Sequence, residues 1–106
     1  MSKAAVMEEQ MSKAAVIRYR TKPEAADENQ RLIEKVFAEL ATLAPAGLTY
    51  TSVRLADGVS FVHVVTGQND GLVQLAAFQE FQRNLSDRLE TAPERDDGTP
   101  IGSYGG

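Results

Sequence analysis

Cysteine and tryptophan are absent from this 106-residue sequence, histidine occurs once, and aromatic residues make up only 7%. Without cysteine there is no disulfide, no thiolate metal site and no cysteine nucleophile. One histidine would need three carboxylates or waters to hold zinc, and no HxxE or HxH spacing exists. No metal is therefore expected. No apolar run approaches the ~20 residues of a membrane-spanning helix. Positive charge is scarce as well: 11 Lys and Arg against 15 Asp and Glu leave a formal charge of −4. A nucleic-acid binder needs a basic stripe to displace counterions from phosphates, so that class is disfavoured. Gly67-Gln68-Asn69-Asp70-Gly71 lacks the Lys-Ser/Thr that completes a phosphate loop. What remains is ordinary for one globular domain, with 42% hydrophobic and 25% charged residues.

The N-terminus carries a short duplication. Met1 to Val6 read MSKAAV, and Met11 to Val16 read MSKAAV again. Two copies ten residues apart do not make a solenoid, which needs at least three longer units. All 3 methionines lie at positions 1, 7 and 11. Residues 1–11 are read as an extension, from an upstream start codon or from cloning, and residues 12–106 as a single domain. With no apolar signal segment, the expected location is the cytoplasm.

Along the domain the period alternates between strand and helix. Ala14 to Thr21 is short and rich in Val, Ile and Tyr, and reads as a strand. Thr21-Lys22-Pro23-Glu24 has the form of a capping box with proline in the first turn. Leu32, Val36, Leu40 and Leu43, backed by Ile33 and Phe37, follow at helical spacing until Pro45 and Gly47 end the helix. Leu48–Ala56 and Val59–Thr66 are β-rich runs joined by Asp57-Gly58, a hairpin signal of the type I′ turn. Asn69 or Asp70 can cap a second helix with Leu72, Leu75, Phe78, Leu85 and Leu89 on one stripe and Phe81 beside it. Glu94 to Pro100 reads as a charged loop, and Ile101–Tyr104 as a short last strand. The order is βαββαβ: an α+β, ferredoxin-like fold, a four-stranded antiparallel sheet with two helices on one face.

A two-residue turn pairs Arg54 with Phe61, Ser52 with His63 and Tyr50 with Val65. One face of the hairpin then holds Val53, Leu55, Val62 and Val64, fit to meet the helices. The other holds Tyr50, Ser52, Arg54, Phe61, His63 and Val65. Left open, that second face is too apolar for water, so a homodimer through the open sheet face is expected. Two facing sheets would close a barrel around a cavity lined by this mixed set. Whether Arg18 and Arg20 or Tyr19 enters it depends on the pairing register.

Val16 to Glu24, the Asp57-Gly58 hairpin with Phe61-Val62-His63-Val64, Phe78-Gln79-Glu80-Phe81 and Ile101 to Tyr104 together resemble the dimeric α/β-barrel superfamily, in its antibiotic-biosynthesis-monooxygenase-like branch. The resemblance spans about residues 12–104. It implies a homodimeric barrel in a superfamily of cofactor-free oxygenases of aromatic polyketides, haem-degrading enzymes and stress-responsive proteins. Some of those oxygenases and haem-degrading enzymes use a tryptophan in the pocket, which this chain lacks.

Candidate chemistry is sparse. His63 titrates near neutrality and is the first choice for an acid or base; the plainer alternative is a half-buried histidine bonded to Ser52, Tyr50 or water. Tyr50 and Arg54 could bind a phenol, enolate or carboxylate. Equally, Tyr50 could pack at an interface and Arg54 pair with an acid. Ser52, Phe61 and Val65 would line the ligand cavity. No expected strand contains Asp or Glu, so a strand-borne carboxylate base is not expected. Three functions fit: a cofactor-independent oxygenase acting on a small aromatic or polyketide-like molecule, a non-catalytic or stress-related protein binding a small apolar or aromatic ligand, and a structural dimer with a filled barrel.

Overall fold

The computed structural model describes residues 13–67, 70–102 and 104. Residues 1–12 and Asn69 lie outside the described residues, as does the side chain of Asp70, so the expected cap is not seen. Strand β1 (Ala14–Arg20) leads through a 3-10 turn (Pro23–Ala25) into helix α1 (Ala26–Leu43). Strands β2 (Leu48–Arg54) and β3 (Ser60–Gly67) form the hairpin. Three short helices follow, α2 (Asp70–Val73), α3 (Ala76–Arg83) and α4 (Leu85–Arg88), and then strand β4 (Glu94–Gly98). The sheet is antiparallel throughout in the order β2-β3-β1-β4. This is the expected ferredoxin-like arrangement.

The hairpin register is the expected one, with Tyr50 opposite Val65, Ser52 opposite His63 and Arg54 opposite Phe61. Its turn is not type I′, because among the two turn residues only Gly58 has a positive φ, at 80°. Asp57 instead accepts hydrogen bonds from the Val59 and Ser60 amides at 2.9 and 2.8 Å and from the Ser60 hydroxyl at 2.6 Å. Those bonds hold Asp57 in an ordinary conformation and lengthen the loop. The Thr21 capping box does not form either. Thr21 is fully buried, and its hydroxyl and amide both reach the Val59 carbonyl, at 3.3 and 2.8 Å.

Two expectations about the sheet are overturned. The first concerns its faces. Tyr19 and His63 are 3% and 4% exposed, Tyr50 stacks on Phe37 of α1, and His63 lies against Phe81 of α3. The mixed aromatic and polar face is therefore the one under the chain's own helices. Val53 and Leu55 are 47% and 40% exposed on the other side. The aromatic side chains reach farther from the sheet than valine does. They fill the space below the helices, and the short β-branched residues are left on the flat outer face. Tyr19 goes inward with them, and alternation sends Arg18 and Arg20 outward. A cavity lined by the mixed set thus belongs to one subunit and needs no partner to form.

The second concerns the last strand. Glu94–Gly98 pairs with β1, whereas Ile101, Gly102 and Tyr104 join no strand. An unpaired β1 edge would leave a row of amides and carbonyls without partners, and that demand overrides the poor β propensity of Glu-Arg-Asp-Asp-Gly. Glu94 pairs across from Arg18, a favourable opposite-charge pair. Strand carboxylates therefore exist, at Glu94, Asp96 and Asp97, all exposed.

Among the helices, Ala26, Asn29, Leu32, Ile33 and Val36 form the buried stripe of α1. The expected second helix is broken before Ala76, where Leu75 is extended, and again at Asn84. The first break allows both Leu72 and Leu75 into the core, at 2% and 3% exposure. Glu39 of α1 accepts the Ala77 amide at 2.9 Å, and Lys35 pairs with Glu80 at 3.2 Å. These contacts tie α3 alongside α1.

Candidate functional site

Alternation along β1, β2 and β3 puts Tyr19, Tyr50, Ser52, Phe61 and His63 on the inner face. Cross-strand neighbours there lie within contact distance, and diagonal neighbours within reach of aromatic rings. The result is a row of stacked rings. Phe61 meets Tyr19 at 5.6 Å between centroids, Tyr19 meets His63 at 5.3 Å, His63 meets Tyr50 at 5.8 Å, and Tyr50 meets Phe37 at 4.9 Å.

His63 sits at the middle of the row with both nitrogens engaged. Nε2 lies 2.7 Å from the Tyr19 hydroxyl; Nδ1 lies 2.8 Å from the Tyr50 hydroxyl and 2.7 Å from that of Ser52. From Tyr19 the network runs into the helices. Asn29 of α1 donates to the Tyr19 oxygen at 2.9 Å, and Arg88 of α4 donates to the Asn29 side-chain carbonyl, also at 2.9 Å. Arg88 donates as well to the Phe81 carbonyl at 2.8 Å, across the break at Asn84, and lies over the Phe81 ring. Every buried polar side-chain atom among the described residues has a partner. That completeness is what makes so polar a core tolerable.

Burial makes the cluster neutral. It lowers the His63 pKa from 6.5 to about 4, because a buried imidazolium has lost its hydration. Burial also raises the hydroxyl pKa of Tyr19, against the opposing hydrogen bond from Asn29. It raises that of Tyr50, against a hydrogen bond from Ser52. At neutral pH the imidazole is uncharged and both phenols keep their protons. Such a set can orient and polarise a bound molecule. It stores no charge.

Beside it, between the inner sheet face and α2, α3 and α4, lies a cavity of about 250 Å³. Ile17, Val65, Leu72, Phe78, Phe81 and Leu85 give it apolar walls; Tyr19, Tyr50 and His63 form the polar spot; Arg95 stands at its rim. Ligand pockets commonly run ~300–1,000 Å³, so this one suits a compact molecule. Wider grooves of 330 to 480 Å³ elsewhere lack this polar cluster.

The residues singled out from sequence divide as follows. Tyr50, His63 and Val65 line the cavity, and Ser52 touches His63 from behind. Phe61 is buried under Tyr19 and the Arg54 guanidinium, outside the lining. Arg54 is not brought to His63. It binds Gln30, Asp27 and the Gly58 carbonyl at 2.7, 3.2 and 2.9 Å, at the sheet edge. Sequence reasoning passed over Asn29 and Arg88. The available signal was a polar residue at stripe spacing, Asn29 three places after Ala26 and three before Leu32, and Arg88 three after Leu85. Polar residues so placed are buried and need partners. Among the described residues no group of three or more His, Cys, Asp or Glu could hold a metal ion, and no helix is long and apolar enough to cross a membrane.

No protein-family model matches the sequence, and no curated protein matches it. Solved structures do. A Nitrosomonas europaea protein assigned as an antibiotic biosynthesis monooxygenase superposes with a TM-score of 0.71 at 9% identity, covering 91% of this chain and 96% of that one. One from Bacteroides thetaiotaomicron with the same assignment gives 0.71 at 15% identity, over 89% and 92%. SnoaB, a cofactor-independent oxygenase from Streptomyces nogalater, gives 0.62 at 16% identity, over 88% and 96%. The fold is that of the antibiotic-biosynthesis-monooxygenase-like proteins.

Proposed function

We propose that the chain is a homodimeric, cofactor-independent oxygenase of a small aromatic or polyketide-like molecule, held in the cavity between sheet and helices. The observation that carries this is the cavity itself: largely apolar and aromatic walls, with Gln82 and Arg95 among them, around one neutral polar spot in which both His63 nitrogens are hydrogen-bonded. Flat apolar rings fit the Phe78 and Phe81 wall, and an oxygen substituent fits Tyr50 and His63. Tyr50 and His63 are the residues proposed to meet the reacting ring system. Arg54, Phe61 and Ser52 hold the hairpin that carries them. Likeness of fold to SnoaB and the monooxygenase-like proteins supports the reaction class. The dimer would form through the outer sheet face of Val16, Val53, Val62 and Val64, which a single subunit leaves without helices.

One observation favours a second reading, a protein that binds such a molecule without converting it. Both nitrogens of His63 are already hydrogen-bonded and its pKa is low, which leaves the cavity without a strong base. Incubation of the purified protein with 1,8-dihydroxyanthrone under air, with dioxygen uptake followed by electrode, separates the two. An oxygenase consumes dioxygen above the protein-free rate and loses that excess in Tyr50→Phe and His63→Gln. A binder leaves uptake at the background rate while the ligand raises the melting temperature. Absence of both effects would remove the proposal.

A further inference from the structure

We propose that a one-way chain of hydrogen bonds from Arg88 to Tyr50 fixes the cavity's polar spot as a donor, so that its ligand is held by a keto or phenolate oxygen. This rests on the reading of the cavity as a ligand site and names the chemistry it selects.

The direction follows from Arg88. A guanidinium only donates, so the Asn29 atom that faces it at 2.9 Å is the carbonyl oxygen. The amide NH2 of Asn29 then points at the Tyr19 oxygen, 2.9 Å away, and donates to it. Tyr19 keeps its own hydroxyl hydrogen, and among the described residues the one acceptor in reach is Nε2 of His63 at 2.7 Å. Nε2 therefore accepts, and a neutral imidazole must carry its proton on Nδ1. From Nδ1 it is shared between the Tyr50 and Ser52 oxygens, at 2.8 and 2.7 Å. Tyr50 is the last member and the one of these two hydroxyls that lines the cavity. With its oxygen accepting from His63, its hydrogen is the free end of the chain. Hydrogen bonds aligned in one sense polarise one another, and here a buried cation stands at the head. At this spot the cavity therefore selects an acceptor oxygen over a donor or a bare hydrocarbon; Gln82 and Arg95 also line the cavity but join none of these bonds. Asn29 and Arg88, which do not line the cavity, are positioning residues: they act on the ligand through Tyr19 and His63.

Two measurements on the full chain test this. The sequence has a single histidine, so long-range 15N–1H spectra give one imidazole pattern. At pH 7 it should be the neutral Nδ1–H tautomer; in Tyr19→Phe, with Nε2 released, it should move to Nε2–H. A wild-type Nε2–H tautomer or an imidazolium would overturn the proposal. The second measurement compares affinities for 1,4-naphthoquinone, which only accepts, and naphthalene, which has the same rings and no acceptor. There is no cysteine for the quinone to alkylate. Wild type should prefer the quinone by about tenfold. Tyr50→Phe should bring the two within about twofold, chiefly by weakening the quinone. Equal affinities in wild type would overturn the inference and leave the ligand site standing. Failure of both probes to bind, even with the Nδ1–H tautomer in place, would overturn the ligand-site reading and this inference with it.

Discussion

At the scale of single residues, the centre of the protein is a histidine kept neutral by burial. His63 titrates near 6.5 in an unfolded chain and at about 4 in the folded one. Between those values the unfolded chain holds the extra proton. Stability from this group is therefore complete above about pH 6.5 and is lost as pH falls toward 4, by on the order of 3 kcal/mol. Urea unfolding followed from pH 7 to pH 4 should show that slope, and His63→Gln should flatten it within that window. Asn29 links two elements that would otherwise hold unpaired groups. Asn29→Leu strips the Arg88 guanidinium and the Tyr19 oxygen of a partner at once. The expected loss is about 2–4 kcal/mol in the same unfolding assay. Asn29 and Arg88 were not legible from sequence. Asn29 and Arg88 lie on helical stripes that otherwise read as core, and their meaning appears only when the sheet residue they serve is identified.

At the scale of elements, the hairpin register was legible because Asp57-Gly58 and the alternation of Tyr50 to Arg54 against Phe61 to Val65 fix it jointly. Which side of the sheet the helices would take was not legible. Both faces are apolar enough to be buried, and alternation alone is symmetric between them. The Thr21 box was a local signal that tertiary burial displaced, and Glu94–Gly98 became a strand through a demand made by β1 and not by its own sequence. The turn offers a test of local chemistry. Asp57→Ala removes three accepted hydrogen bonds and should lower the urea midpoint. Gly67 makes a sharper case. Its φ is 91°, and a Cβ there would collide with the Gly47 carbonyl oxygen. Gly67→Ala should therefore lower stability more than Gly58→Ala, whose φ is 80° but whose Cβ would meet nothing. Thermal melts of the two variants side by side check the order.

At the scale of the whole molecule, a four-stranded sheet with helices on one side carries no helix on its other side among the described residues, and only residues 99–102 lie beside it there. The valines of that side, with Thr49, Thr51 and Thr66 among them, form a flat surface that suits another sheet. Sedimentation equilibrium at micromolar concentration should give twice the 11.5 kDa subunit mass, and Val64→Lys should return the single-subunit value with the fold intact. Because the cavity lies inside one subunit, dimerisation and ligand binding are separable, and the Val64→Lys monomer should keep most of its affinity for an aromatic ligand. A crystal structure of the protein soaked with 1,4-naphthoquinone is decisive for the ligand site. The ring system is expected between Phe81 and the inner sheet face, with a keto oxygen within hydrogen-bond distance of the Tyr50 hydroxyl. A collapsed cavity, or a quinone seated only on the outer valine face, would contradict it.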